Sequence, residues 1–158
     1  MIMNTLFNDV EKLLPQKNKM VLLSRILACH KNEKELISEV LISRDSMFFD
    51  EKKQYVPVWV GIEYMAQSIA AFSYLVNCGT EAETEPKIGF LLGTRKYDCS
   101  VFGFKLNQVL QINVKQLYYD NNLAAFECSI KDKEQLLAKA QVNAFSPDSV
   151  TEFLKKYQ

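Results

Sequence analysis

From Val58 to Val76 the chain reads VWVGIEYMAQSIAAFSYLV, with fourteen of nineteen positions apolar. A segment this rich in apolar side chains has to be covered around most of its circumference, by lipid or by the rest of the protein. Glu63, Gln67 and two serines within it make it a poor membrane span and a good buried helix, predicted here over 58–76. The remainder of a 158-residue chain must then be arranged around it, and that length suits one domain over 1–158.

The flanking sequence supplies the cover. Leu6, Val10, Leu13 and Leu14 fall at helical spacing and Pro15 ends the pattern, which predicts a short N-terminal helix over 4–14. Two strands, 21–29 and 36–42, are joined by the polar turn HKNEKE. An irregular link, 45–55, leads to Pro57, whose fixed φ suits the first turn of the central helix. After the polar connection CGTEAETEPK, strict alternation returns in Leu110, Ile112 and Val114, in Ala124 to Ile130, and in Leu136 to Ala144, with DNN and DKEQ as turns. About four strands are expected there, as an antiparallel meander with one wet face. Ser146 as cap, Pro147 as first residue and Lys155 and Lys156 in the last turn predict a terminal helix over 147–157. A sheet that is apolar on one face must cover that face, and the segment 58–76 is the element able to do so. The expected architecture is α+β: a hotdog fold, a curved antiparallel sheet wrapped around one long helix, which usually dimerises through sheet edges.

Composition removes several functions. With 19 basic and 19 acidic residues there is no net field to hold nucleic acid. No positively charged start precedes an apolar run, so no export signal is read and a cytoplasmic location is expected. Cys29, Cys78, Cys99 and Cys128 are widely spaced, without a CxxC pair, and His30 is the single histidine. Buried reduced thiols are therefore expected, with no metal site and no cofactor.

The informative residue is the acid. On a helical wheel Glu63 shares its face with Trp59, Val60, Gln67, Ala70 and Tyr74. Small Ala70 leaves room beside it. Burial in an apolar wall would raise a carboxyl pKa toward neutrality, the tuning that acid–base catalysis uses, and the Gln67 amide N–H could hold the carboxylate in one rotamer. The alternative is an ordinary acid at a helix start, favoured by the dipole and reaching solvent.

VPVWVGIEYMAQSIAA resembles the central-helix signature P-G-V-L-x-x-E-x-x-A-Q of the 3-hydroxyacyl-acyl-carrier-protein dehydratases, at Pro57, Glu63, Ala66 and Gln67. LLPQKNKMVLLSRIL is similar to that family's L-L-P-H-R-x-P-x-L-L-x-D-R, at Leu13, Leu14, Pro15, Leu22, Leu23 and Arg25. Val56 to Ala71, with GFLLGTRKYDC from Gly89 to Cys99, looks like a divergent branch, the dehydratase-like proteins of aryl polyene pigment clusters. The resemblance implies a part in building polyunsaturated acyl chains on an acyl carrier protein.

The departures are as informative. The family's reaction takes a Cα proton with a histidine in G-H-F-P-G and protonates the leaving 3-hydroxyl with the central-helix glutamate of the other subunit. Here the equivalent link, FFDEKKQYVPV, has no histidine, and His30, beside the KNEKE turn, is expected to be solvated. Gln16 stands where the family has His, Ser24 where it has Asp, and Val58 where a glycine N–H would hold the thioester carbonyl. A homodimer would carry two glutamates and no base. A heterodimer with a histidine-bearing hotdog dehydratase would complete one site, with Glu63 as its acid. Further expectations are an acyl tunnel lined by Trp59, Val60, Tyr64 and Phe90 or Phe102, and contacts of Arg95 and Lys96, with Lys105 nearby, to an acidic carrier protein. The rival readings are a hotdog thioesterase that activates water with the one carboxylate, and a non-catalytic scaffold subunit.

Overall fold

The computed structural model describes residues 2–3, 9–77 and 89–158. Nine strands and two α-helices follow in the order β1 (Ile2–Met3), β2 (Arg25–His30), β3 (Glu35–Leu41), β4 (Tyr55–Pro57), α1 (Gly61–Asn77), β5 (Phe90–Cys99), β6 (Gly103–Lys105), β7 (Val109–Asp120), β8 (Leu123–Asp132), β9 (Gln135–Phe145) and α2 (Val150–Lys155). Seven strands form one antiparallel sheet in the order β1-β2-β3-β7-β8-β9-β5, and β4 pairs separately with β6. The sheet curves around α1, the hotdog arrangement expected from the sequence. None of the described helices is long and apolar enough to cross a membrane.

The register explains the core. Leu36 pairs with Val114, Val114 with Cys128 and Cys128 with Ala140; the next inward row runs Ser38, Ile112, Ile130, Ala138. All eight are buried, because alternate residues of a strand point to one face and a one-residue slip would turn each of them outward. Both rows end in alanines on β9, after Leu36, Val114 and Cys128 in one and Ile112 and Ile130 in the other. Tight joints hold this register. Asn121 and Asn122, at φ 48° and 66°, form the two-residue turn between β7 and β8, a left-handed conformation that asparagine tolerates well. Gly61 lets α1 approach the sheet, since a Cβ there would lie 2.5 Å from the Tyr97 hydroxyl and 2.8 Å from Ile130 Cδ1.

Several boundaries differ from expectation. Pro57 is extended (φ −55°, ψ 141°) and ends β4; a 3-10 turn, Val58–Val60, precedes the α-helix at Gly61. Of the expected N-terminal helix, residues 4–8 lie outside the described set, and the rest is one 3-10 turn, Val10–Leu13. The terminal helix is capped by Ser149, whose Oγ accepts the Glu152 N–H at 3.3 Å, and not by Ser146. The motif Ser149-x-x-Glu152 outweighs the Ser-Pro pair because its side chain reaches an unpaired N–H of the first turn. Five strands follow α1 in place of about four. Cys29 and Cys128 are buried but Cys99 is exposed on β5, an edge strand; Cys78 lies outside the described residues.

Candidate active site

Glu63 stands in the first turn of α1, where the unpaired helix N–H groups favour a negative charge. It is half-buried, and its Oε1 accepts a hydrogen bond from Gln67 Nε2 at 3.1 Å. Four residues of separation place the two side chains one above the other. Gln67 is fully buried and its amide is engaged at both ends. Nε2 also donates to the Met20 carbonyl at 2.7 Å, and Oε1 accepts the Leu22 N–H at 2.9 Å. One buried amide thus ties the carboxylate to a backbone segment 45–47 residues earlier in the chain. The spacing of Glu63 and Gln67 foretells their bond; the partners at 20 and 22 carry no sequence signal, since a backbone group looks the same at every position.

Beside the carboxylate lies a cavity of about 210 Å³. Its helix wall is Glu63, Ala66, Ile69, Ala70, Ser73, Tyr74 and Asn77; its sheet wall includes Gln116, Tyr119, Ala124, Phe126, Val142, Ala144 and Phe145. The wall along the helix runs from Glu63 to Asn77, fourteen residue steps, or about 21 Å at the α-helical rise. The space is therefore long and narrow. It exists because small residues oppose small residues: Ala66, Ala70 and Ser73 on α1 face a sheet carrying Ala124 and Ala144. Pro15 and Gln16 also line the cavity. An elongated slot whose apolar wall is interspersed with polar groups, Gln16, Glu63, Gln116 and Asn122 among them, has room for a linear chain with a polar group near one carboxyl.

Other expected site residues lie elsewhere. Trp59 is exposed and meets Phe48 edge-on at 5.1 Å, while Val60 and Tyr64 are in the core, with Tyr64 tilted against Phe104 at 5.8 Å. None of the three lines the cavity. The 3-10 turn advances about 120° per residue instead of 100°, so a wheel extended back from α1 misplaces residues 58–60. Burial holds the phenols of Tyr64 and Tyr97 well above the ordinary tyrosine range. Phe102 is 89% exposed, and the side chain of Phe90 lies outside the described set. Arg95 and Lys96 are exposed on β5, with Lys96 in the left-handed region (φ 52°) at a bulge; Lys105 is exposed on β6. His30, at the end of β2 beside the turn, is partly exposed and does not line the cavity. The Val58 N–H is spent on the Phe102 carbonyl at 3.0 Å and is not left for a ligand; the Val58 carbonyl accepts the Tyr97 hydroxyl.

A chain of the dehydratase heterocomplex ApeI:P from Xenorhabdus doucetiae is 28% identical to this protein, over 94% of this chain and 97% of that chain, with a TM-score of 0.85. An uncharacterized protein from Pyrococcus horikoshii is 10% identical over 90% of this chain and 96% of that chain, with a TM-score of 0.65. A hypothetical thioesterase with coenzyme A from Streptococcus pneumoniae is 13% identical over 77% of this chain and 84% of that chain, with a TM-score of 0.59. At those two identities the likeness is one of fold alone. No curated protein matches the sequence. The family model described as ApeP-like, ApeP dehydratase, matches residues 8–155, a span that takes in the Gln67 clamp, the cavity and the whole sheet except β1, and the chain belongs to that ApeP-like dehydratase family.

Proposed function

We propose that this protein is the acid-bearing subunit of a (3R)-hydroxyacyl-acyl-carrier-protein dehydratase, acting on polyunsaturated chains of the aryl polyene type and sharing its site with a histidine-bearing hotdog partner. The observation that carries this reading is the Glu63 carboxylate, held by Gln67 on the wall of a slot to which the chain's single histidine does not contribute. Elimination of water from a 3-hydroxyacyl thioester needs two proton transfers. A base removes a proton from Cα, the Cα–Cβ double bond forms, and the C–O bond breaks as the departing oxygen takes a proton. Glu63 in its carboxylic form supplies the second proton, and the partner's histidine takes the first. Family membership and the similarity to a chain of a dehydratase heterocomplex support the assignment. Arg95 and Lys96 offer exposed positive charge to an acidic carrier protein.

Co-purification with a hotdog protein that carries G-H-F-P-G, followed by assay on a 3-hydroxyacyl carrier protein, tests the reading. The complex should turn over and this chain alone should not, and Glu63→Gln should lower kcat by roughly 10²–10⁴ with assembly intact. Dehydration by the isolated chain removes the need for a partner. Full activity of Glu63→Gln in the complex makes the chain a scaffold, and Glu63-dependent hydrolysis of acyl-CoA makes it a thioesterase.

A further inference from the structure

Among the described residues, one buried side-chain polar atom has no hydrogen-bond partner: Oε1 of Gln16. Gln16 lines the same cavity as Glu63. A carbonyl oxygen withdrawn from water without a donor is unfavourable, and such atoms are rare in folded proteins, so this one calls for an occupant that can donate. Its segment is fastened on both sides. Lys17 Nζ donates to the carbonyls of Glu11 and Leu14 at 2.8 and 3.2 Å, and Met20 and Leu22 are clamped by Gln67. Pro15, which fixes its own φ, comes immediately before. The amide is thus presented to the cavity by a segment anchored before and after it.

We propose that Gln16 binds the substrate, its Oε1 accepting a hydrogen bond from the 3-hydroxyl of the acyl chain in this cavity; the inference rests on the dehydratase reading above. In that chemistry the 3-hydroxyl is the one O–H donor on the acyl chain. Its own hydrogen stays on oxygen throughout: the C–O bond breaks, the electron pair leaves with oxygen, the Glu63 carboxyl adds one proton, and water departs. An acceptor on that hydrogen can therefore hold the leaving group from bound substrate to product, while the acid addresses a lone pair of the same oxygen. A neutral amide suits the position. It accepts the hydroxyl hydrogen without competing for the proton that Glu63 supplies, as a carboxylate or a basic side chain there would.

The test uses the complex with the histidine-bearing partner and two ligands, a 3-hydroxyacyl pantetheine thioester and its 3-deoxy counterpart of equal length. Wild type should bind the hydroxylated ligand roughly tenfold more tightly. Gln16→Leu, and Gln16→Met as the closer match in shape, should bind both ligands alike, with kcat reduced and the thermal midpoint unchanged. Equal binding by wild type, or a preference that survives in either variant, overturns the inference. If the complex turns over in a Glu63-dependent way yet shows no hydroxyl preference, this inference alone fails. If it turns over nothing, the dehydratase reading fails and this inference with it.

Discussion

The two faces of α1 meet their surroundings in opposite ways. Residues 61, 64, 65, 68, 72 and 75 form one face, and all are buried; Phe72 packs edge-on against Phe126 at 5.8 Å, and the Ser68 hydroxyl lies 2.7 Å from that of Ser38. About half a turn round the helix, residues 63, 66, 70, 73, 74 and 77 line the cavity. The first face holds the molecule together by filling space. The second leaves about 210 Å³ open, forgoing packing that larger side chains would have supplied. A single helix thus divides stability from ligand room by angle around its axis, and the same sequence periodicity encodes both.

Substitutions on the two faces should behave in opposite ways. Phe72→Ala opens a void in the packed face and should destabilise the protein by about 3–5 kcal/mol, read from urea unfolding. Ala70→Leu adds side chain to the open face; it should shift stability little and weaken binding of an acyl pantetheine thioester at least tenfold, read by titration. If Ala70→Leu destabilises as much as Phe72→Ala, the two faces are packed alike and the comparison breaks. A smaller effect sharpens it through pH. Burial pushes the Cys128 thiol up to about 12 from its ordinary 9.0. A group whose folded pKa is raised leaves stability intact below its unfolded value and removes it as pH rises toward the folded one, here from about 9 to 12. The unfolding free energy from urea titration should therefore fall between pH 8 and pH 10, by about 1 kcal/mol from this group, and Cys128→Ala should flatten the slope.

What the sequence revealed follows the same division. The packed face, the alternating strands and the Asn121–Asn122 turn were legible because each rests on a short period or a local backbone preference. Glu63 and Gln67 were legible as a pair because four residues make one turn. The cavity was less so: Ala70 hinted at it, but Ala124 and Ala144 read as ordinary strand residues until the register sets them opposite the helix. Trp59 and Val60 were misplaced because the helix begins as a tighter turn. Gln16 stood out only as a departure from the family's histidine; that its oxygen is buried and that it lines the same cavity as Glu63 depends on how the segment after Pro15 folds back, which no local pattern records.

The hydrogen bonds from Gln67 to Met20 and Leu22 have a consequence for maturation. Contacts so distant in sequence form after local ones, since closing a long loop costs chain entropy. The Gln67–Glu63 bond lies within the helix, but the Gln67 amide is fixed at both ends only once the early segment has docked. A chain that has collapsed around its apolar core but not completed that docking leaves the Gln67 amide with only one of its three hydrogen bonds, so the orientation of the group that holds Glu63 is a tertiary property and not one of the helix alone.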